Sequence, residues 1–278
     1  MGQHGLTAEP VHEARKAIKS LRATLRLARG ALSVEERRAR NQALRDLAGR
    51  LSGPRDAAVT LAAFEKAYRE SLDGNRRHEI EPRWVVQLQK SLAAQARAVV
   101  PDESYRDATR GVRRLSGQLL PLQDARRETD WSDTVGKGLC RTYREGRRLL
   151  SDVADAPEPP EEQWHELRKR AKDLGYQMAL LKKVKGVKPL LAKLEEVGST
   201  LGDARDLSLL RDYLDKVQNT NELAPAERQS YQHLLAHIDQ QRQGLHTLAL
   251  HAARCVYHRG SKRFTDRMAK RWRRWKER

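Results

Sequence analysis

Residues 11–21 read Val11-His12-Glu13-Ala14-Arg15-Lys16-Ala17-Ile18-Lys19-Ser20-Leu21, and residues 164–174 read Trp164-His165-Glu166-Leu167-Arg168-Lys169-Arg170-Ala171-Lys172-Asp173-Leu174. At 3.6 residues per turn, each stretch predicts a helix that carries an apolar stripe beside a stripe of one histidine and several cations. The first cationic stripe comprises His12, Arg15, Lys16, Lys19, Arg22 and Arg26, and the second comprises His165, Arg168, Lys169 and Lys172. We predict that each apolar stripe packs against the protein and that each cationic stripe faces a negatively charged ligand.

A second pair of similar motifs has nearly the same spacing. Leu51–Asp56 reads Leu-Ser-Gly-Pro-Arg-Asp, and Leu201–Asp206 reads Leu-Gly-Asp-Ala-Arg-Asp, an offset of 150 residues. The two histidines of the helical motifs are 153 residues apart. Two motifs that recur in the same order indicate an internal duplication. The copies differ in charge, because Gly175 and Ala179 stand at the positions of Arg22 and Arg26.

The pattern His-x-x-Arg-Lys-x-x-Lys on one helix, followed by Leu-Gly-x-x-Arg-Asp, resembles the CHAD family, the conserved histidine α-helical domain. The resemblance covers about residues 6 to 258. It implies an all-α fold in which two pseudo-symmetric helical-bundle halves pack around a basic central cleft or channel. It also implies that this channel binds inorganic polyphosphate and that the domain has no catalytic activity of its own.

The composition is strongly basic. The 278 residues carry a formal net charge of +18, which predicts a polyanionic partner such as polyphosphate, nucleic acid or an anionic membrane surface. Only 38% of the residues are hydrophobic, yet Leu and Ala recur at helical spacing through most of the chain, which argues against disorder. We therefore expect helices around an aliphatic core.

The cysteines and the N-terminal residues bear on localisation. Cys140 and Cys255 do not occupy equivalent places in the repeat, so we expect no disulfide framework and a reducing compartment. Residues 1–5 lack the apolar core of a signal peptide, and no run of 18 apolar residues occurs, so we expect no transmembrane segment. The sequence favours a cytoplasmic protein, with polyphosphate granules as one site of association.

Helical periodicity and breaking residues suggest four regions. Residues 1–155 form an N-terminal helical half, 156–162 a Pro-rich linker, 163–258 a C-terminal helical half and 259–278 a basic, Trp-containing tail. Ser33 and Glu36 predict a capping box at the start of a helix. The predicted helices span about 7–32, 33–51, 55–71, 83–99, 102–124, 131–153, 162–184, 187–201, 204–218 and 225–258.

His12 and His165 are predicted close to helix N-termini, where partial positive charge and unpaired N–H groups favour phosphate. The predicted polyphosphate-binding residues are the two cationic stripes together with Arg55 and Arg205. For Arg55-Asp56 and Arg205-Asp206 two interpretations stay open. Either the arginine faces the channel while the aspartate caps a helix or braces a cation, or the aspartate is an N-cap and the motif has no other role.

Two further helices carry arginines every three or four residues. They are Arg106, Arg110, Arg113 and Arg114 on one helix, and Arg141, Arg144, Arg147 and Arg148 on the other. These residues could line the same channel or lie on the surface, and the sequence does not decide between the two.

The tail and one histidine pair offer other chemistries. Trp272 and Trp275 lie among cations, where they could stack on bases, meet a membrane interface, or belong to a basic helix that adds only nonspecific charge. His233 and His237 are four residues apart, but no acidic base or third ligand accompanies them. We therefore predict no metal site, with nonspecific nucleic-acid binding by the tail as an option.

The sequence predicts non-catalytic binding of inorganic polyphosphate, for storage, granule association or targeting. It contains no Gly-rich phosphate loop and no nucleophile with a local base, so we expect neither an enzyme nor a cofactor. One alternative is a nucleic-acid-binding or chromatin-associated helical protein. Another is an accessory subunit of a phosphate-processing enzyme.

Overall fold

The computed structural model describes residues 8–28, 32–51, 54–72, 81–97, 102–119, 131, 135–217 and 223–277. Across these residues the chain is all-helical, with ten helices and no strand, which confirms the predicted fold class. The helices are α1 (Ala8–Leu27), α2 (Val34–Gly49), α3 (Pro54–Ser71), α4 (Arg83–Ala96), α5 (Asp102–Leu119), α6 (Lys137–Asp155), α7 (Glu161–Ala179), α8 (Val187–Val217), α9 (Pro225–Tyr257) and α10 (Ser261–Lys276).

The helices form two compact units, and each unit combines segments from distant parts of the chain. The larger unit comprises residues 1–51, 101–199 and 249–278, and the smaller unit comprises 52–100 and 200–248. Each unit therefore includes residues from both of the helical halves expected from the sequence. The two halves were expected from similar motifs along the sequence, and they do not coincide with the two compact units. The internal duplication stays a prediction. Residues 156–160 connect α6 to α7 within the expected Pro-rich segment.

In the larger unit, α1 packs against α2, α5, α6 and α7. Its core contains many aliphatic side chains, among them Ile18, Leu25, Leu139, Leu167 and Leu174, which are at most 1% exposed. It also contains the buried rings of Tyr143, Tyr257 and Phe264, so the expectation of an aliphatic core holds only in part. The start of α2 has the predicted capping box, in which the Glu36 N–H donates to Ser33 Oγ and the Ser33 N–H donates to the Glu36 carboxylate.

The smaller unit is built around an aromatic cluster. Trp84 of α4 lies edge-on to Phe64, Tyr68 and Tyr231, with ring centroids 6.2, 6.1 and 5.4 Å away. Buried leucines of α8 and α9, among them Leu210, Leu214 and Leu234, complete this core. Offset and edge-to-face aromatic pairs add stabilisation beyond their buried area, so four rings hold α3, α4 and α9 together.

The expected break between helices 187–201 and 204–218 is wrong, because α8 continues from Val187 to Val217. A glycine inside a helix costs only about 1 kcal/mol, and the buried neighbours Leu201 and Ala204 offset that cost around Gly202. Asp206 consequently lies within a helix. Its interpretation as an N-cap is therefore excluded.

Two other helices end earlier than expected, α4 at Ala96 and α7 at Ala179. The expected ends of the helices 7–32 and 102–124 and the expected start of the helix 131–153 involve residues outside the described part of the chain. After α7 the chain forms tight turns, and Gly186 adopts φ 79°, a left-handed conformation that favours glycine.

The basic tail forms a helix that packs against the larger unit. The Phe264 ring of α10 stacks on Tyr143 of α6 with ring centroids 4.0 Å apart, and Trp272 contacts Trp131 at 5.4 Å. The tail is therefore part of the core, although its outward face is cationic. None of the helices in the described ranges combines the length and the apolar character that a membrane span requires.

Candidate functional site

The cationic stripe of α1 borders the buried face of that helix. Val11, Ile18 and Leu25 are at most 4% exposed, which confirms that the apolar stripe packs. The members of the cationic stripe that are half-buried are His12, Arg15, Arg22 and Arg26, and those that are exposed are Lys16 and Lys19. The two lysines therefore lie where a ligand in solution can reach them.

Arg15 contacts the Leu51–Asp56 motif. Its Nη1 donates a hydrogen bond of 3.0 Å to the backbone oxygen of Leu51, the buried first residue of the Leu51–Asp56 motif. Leu51 follows the end of α2 at Gly49, so its backbone oxygen has no partner within that helix, and Arg15 supplies one. Arg15 therefore positions the chain as well as adding charge to the stripe.

Arg22 and Arg26 are used to hold helices together. Nε of Arg22 donates to Oδ1 of Asn41 on α2 at 3.1 Å, and Nη1 of Arg26 lies 3.0 Å from Oδ1 of Asp173 on α7. Burial lowers the pKa of both guanidinium groups, and the charge of Arg26 lowers that of Arg22 further. Arginine stays charged through these shifts, so the two residues are cations with partners inside the protein.

The cationic stripe of α7 is half-buried along its whole length. Lys169 pairs with Glu166 on the same helix, and Lys172 Nζ reaches Glu195 Oε1 on α8 at 3.2 Å. The stem of Lys172 passes over Gly198, where an added Cβ would lie 2.7 Å from Cε of the lysine. The nitrogen Nε of Arg168 is buried and forms no hydrogen bond with any described residue.

The helices α1 and α7 pack directly on each other. Besides the Arg26–Asp173 pair, Nε2 of Gln177 donates to the backbone oxygen of Ala23 at 3.1 Å. A later residue of α7 thus contacts an earlier residue of α1, so the helices run in opposite directions where they meet. With a rise of about 1.5 Å per residue, His12 lies about 16 Å to one side of the Gln177–Ala23 contact and His165 about 18 Å to the other.

The sequence interpretation missed the acidic partners around this contact. Asp173 also accepts from Nη1 of Arg170 at 2.6 Å, and Arg170 contacts Glu145 of α6 at 3.4 Å. Burial raises the pKa of the Asp173 carboxyl, and the charges of Arg26 and Arg170 lower it in part. The three-residue spacing of Arg170 and Asp173 is a local signal of an ion pair within the helix.

Arg55 of the Leu51–Asp56 motif and Arg205 of the Leu201–Asp206 motif belong to the smaller unit. Arg205 is half-buried on α8, and Arg55 is the second residue of α3, with a side chain outside the described part of the chain. Asp56 lies within α3, after its first residue Pro54. A central channel that joins these arginines to α1 and α7 stays a prediction.

The additional arginines lie in two different settings. On α5, Arg106, Arg110, Arg113 and Arg114 are exposed, and Arg110 pairs with Asp107 at 3.3 Å. On α6, Arg141 pairs with Glu145 at 2.7 Å, whereas Arg144, Arg147 and Arg148 line a concavity together with Arg254 of α9. This concavity is on the side of α6 away from Thr142, which accepts a hydrogen bond from Gln177 of α7.

The fold and these contacts define a basic, all-helical protein in which two helices of similar sequence pack antiparallel. The CHAD domain matches residues 3–215, so the chain belongs to the CHAD family, which is often linked to polyphosphate binding. We expected the likeness to reach residue 258, and the match ends before α9 and α10 begin. No curated protein and no solved structure matches the chain.

Proposed function

We propose that this protein binds inorganic polyphosphate along the cationic stripes of α1 and α7 and that it does not act on the polymer as a catalyst. The observation that carries the proposal is the antiparallel packing of these two helices, which places His12 and His165 on opposite sides of their contact. A ligand that touches both ends must be elongated, as a linear polyphosphate is. The membership of the CHAD family supports the same ligand.

The side chains suit a polymer without a fixed register. Arginine holds phosphate oxygens in pairs, whereas lysine acts as a mobile point charge. Lys16 and Lys19 are exposed, and among the described residues Lys169 forms an ion pair with Glu166 of its own helix alone. Each such contact with a phosphate in water is weak, and several together bind a chain with strong dependence on salt.

This proposal extends to the biological role. A non-catalytic binder of polyphosphate serves in storage, in association with granules in the cytoplasm, or in targeting partners to the polymer. The net charge of +18 supports a long polyanion as the partner.

The test compares two triple variants that lose the same charge. Lys16→Ala/Lys19→Ala/Lys169→Ala removes cations from the stripes, and Arg263→Ala/Arg267→Ala/Lys270→Ala removes exposed cations from α10. Binding of long-chain polyphosphate at about 150 mM salt should weaken about tenfold or more in the stripe variant, and its salt slope should fall by about 2 to 3. The α10 variant should bind nearly as the unmodified protein does. A loss confined to the α10 variant overturns the proposed site.

The second candidate is a nucleic-acid-binding protein, favoured by the exposed cations on α10. Trp272 packs on Trp131, so of the two tail tryptophans Trp275 is the more exposed, at 43%. A competition at equal phosphate concentration separates the candidates. Polyphosphate should resist displacement by duplex DNA, and displacement by DNA would favour the nucleic-acid function instead.

A further inference from the structure

A basic concavity of about 500 Å³ lies in the larger unit, at a corner where three helices meet. The second half of α6, the last turn of α9 and the first residue of α10 form its walls. The polar residues that line it and carry the argument are Arg144, Arg147, Arg148, Asp155, Arg254 and Ser261. A volume of this size is typical of sites for small ligands.

The concavity has an excess of unneutralised positive charge. Arg148 pairs with Asp152 at 2.5 Å, and Asp155 accepts a hydrogen bond of 2.8 Å from Ser151. By contrast Arg144, Arg147 and Arg254 form no ion pair with any described residue. The lining therefore carries four guanidinium groups and one carboxylate, that of Asp155, and even with the nearby carboxylate of Asp152 the net charge stays positive and favours an anion.

The start of α10 adds hydrogen-bond donors to this corner. Gly260 is the N-cap of α10 and provides no side-chain cap, so the first N–H groups of the helix lack a side-chain acceptor. Ser261, the first residue of the helix, lines the concavity. Backbone N–H groups at a helix start and arginines are both ligands of phosphate oxygens in proteins.

The walls are fixed by a buried pair of tyrosines. The hydroxyl of Tyr143 donates to the backbone oxygen of Val256 at 2.9 Å and accepts from the N–H of Arg259 at 3.2 Å, so it ties α6 to the junction of α9 and α10. Tyr257, only 2% exposed, lines the concavity, and its hydroxyl lies so close to Gly146 that an added Cβ would be 2.4 Å away. Its oxygen is buried and has no hydrogen-bond partner among the described residues. The arginines therefore project from a rigid frame.

We propose that this corner is a separate site for a compact oligophosphate, such as a triphosphate group, free or carried by a nucleoside. The site does not depend on the polyphosphate proposal, since it lies on the side of α6 away from α7, and Arg254, Tyr257 and Ser261 lie beyond residues 3–215. The guanidinium groups of the lining outnumber the carboxylate of Asp155, and the attraction of this net positive charge grows with the negative charge of the ligand, which favours a ligand with several negative charges. A compact ligand is expected because the concavity is bounded by three helices.

Isothermal titration with tripolyphosphate tests the site, and the background is the stripe variant Lys16→Ala/Lys19→Ala/Lys169→Ala. Tripolyphosphate should bind this protein with a stoichiometry of one. Adding Arg147→Ala and Arg254→Ala should weaken binding about tenfold or more, because two phosphate ligands are lost. The matched control adds Arg113→Ala and Arg114→Ala on α5, which remove the same charge outside the concavity, and it should leave the affinity nearly unchanged.

Parallel titrations with a nucleoside triphosphate and with orthophosphate identify the ligand. Tighter binding of tripolyphosphate assigns the site to an inorganic oligophosphate, and tighter binding of the nucleoside triphosphate assigns it to a nucleotide. Equal binding of orthophosphate, an equal loss in the α5 control, or no binding in the stripe background would overturn the proposal. None of these results bears on binding of long polyphosphate by the stripes, which is measured separately.

Discussion

Nη1 of Arg26 on α1 lies 3.0 Å from Oδ1 of Asp173 on α7, and this ion pair joins the two helices of similar sequence. Neither residue has a counterpart of the same type in the other stretch. At the offset of 153, Ala179 stands at the position of Arg26, and Ser20 stands at the position of Asp173. The two similar stretches of sequence thus differ at the positions where their helices form this ion pair. The shorter cationic stripe of α7 therefore reflects helix packing, since its missing cations correspond to arginines that α1 uses internally.

We predict that Arg26→Met lowers the stability of the protein at neutral pH by about 2 kcal/mol, because it leaves the carboxylate of Asp173 with one arginine fewer. Arg26 is partly exposed, at 29% of its side chain, so the loss is smaller than for a fully buried pair. The measurement is urea unfolding. Lys193→Met, which removes an exposed partner of Glu196, is the control and should change stability by less than about 0.5 kcal/mol.

The same variant should show a characteristic pH dependence. Burial raises the pKa of Asp173, so this carboxyl contributes stability below its unfolded pKa that is lost as the pH rises through its folded pKa. The charge of Arg26 lowers that folded pKa, and its removal raises it further. The difference between Arg26→Met and the unmodified protein should therefore shrink as the pH falls from neutral toward about 3. A difference that grows in acid would contradict the assigned pair.

The glycines on the helices allow a second prediction. A Cβ on Gly138 of α6 would lie 2.3 Å from the backbone oxygen of Leu27 on α1, whereas a Cβ on Gly244 of α9 would meet nothing within 4 Å. Gly138→Ala should therefore destabilise the protein by about 3 kcal/mol through forced separation of the two helices. Gly244→Ala should stabilise it by about 0.5 to 1 kcal/mol through lower entropy of the unfolded chain. Thermal unfolding of both variants checks this, and equal midpoints would refute the close approach of α1 and α6.

Local signals in the sequence predicted most helices and the buried stripe of α1. The helical spacing of apolar residues such as Val11, Ile18 and Leu25 correctly predicts that they are buried. The Ser33–Glu36 capping box correctly predicts the start of α2. The break expected at Gly202 was wrong because a glycine indicates only a local preference against helix. The continuity of α8 depends on the burial of Leu201 and Ala204, which tertiary packing determines.

The partners of the site residues could not be predicted in the same way. Asp173 pairs with Arg26 across 147 residues, and Arg147 shares a concavity with Arg254 across more than a hundred. A stripe of cations on one helix does not indicate which member meets a carboxylate on another. The sequence therefore identified which helices carry charge, and the packing determines which of those charges remain available to a ligand.

A third prediction separates positioning from ligand binding on α1. Arg15 donates to the backbone oxygen of Leu51, whereas the neighbouring Lys16 forms an exposed ion pair with Glu13 at 3.4 Å. Arg15→Ala should lower stability by about 1 kcal/mol, and Lys16→Ala should change it by less than about 0.5 kcal/mol. Urea unfolding gives both values. In polyphosphate titrations Arg15→Lys, which keeps the charge, should bind more tightly than Arg15→Ala while remaining less stable than the unmodified protein.

A fourth prediction concerns Tyr143, whose hydroxyl joins α6 to the junction of α9 and α10. Tyr143→Phe keeps the ring that stacks on Phe264 but leaves the carbonyl of Val256 and the N–H of Arg259 without this partner. We expect a loss of about 1 to 2 kcal/mol, because buried backbone groups that lose a hydrogen bond are costly. Amide hydrogen exchange should rise at residues 259–264 and stay unchanged in α3 and α4. Tyr105→Phe on α5 is the control, and uniform exchange changes in both variants would refute a local role for the Tyr143 hydroxyl.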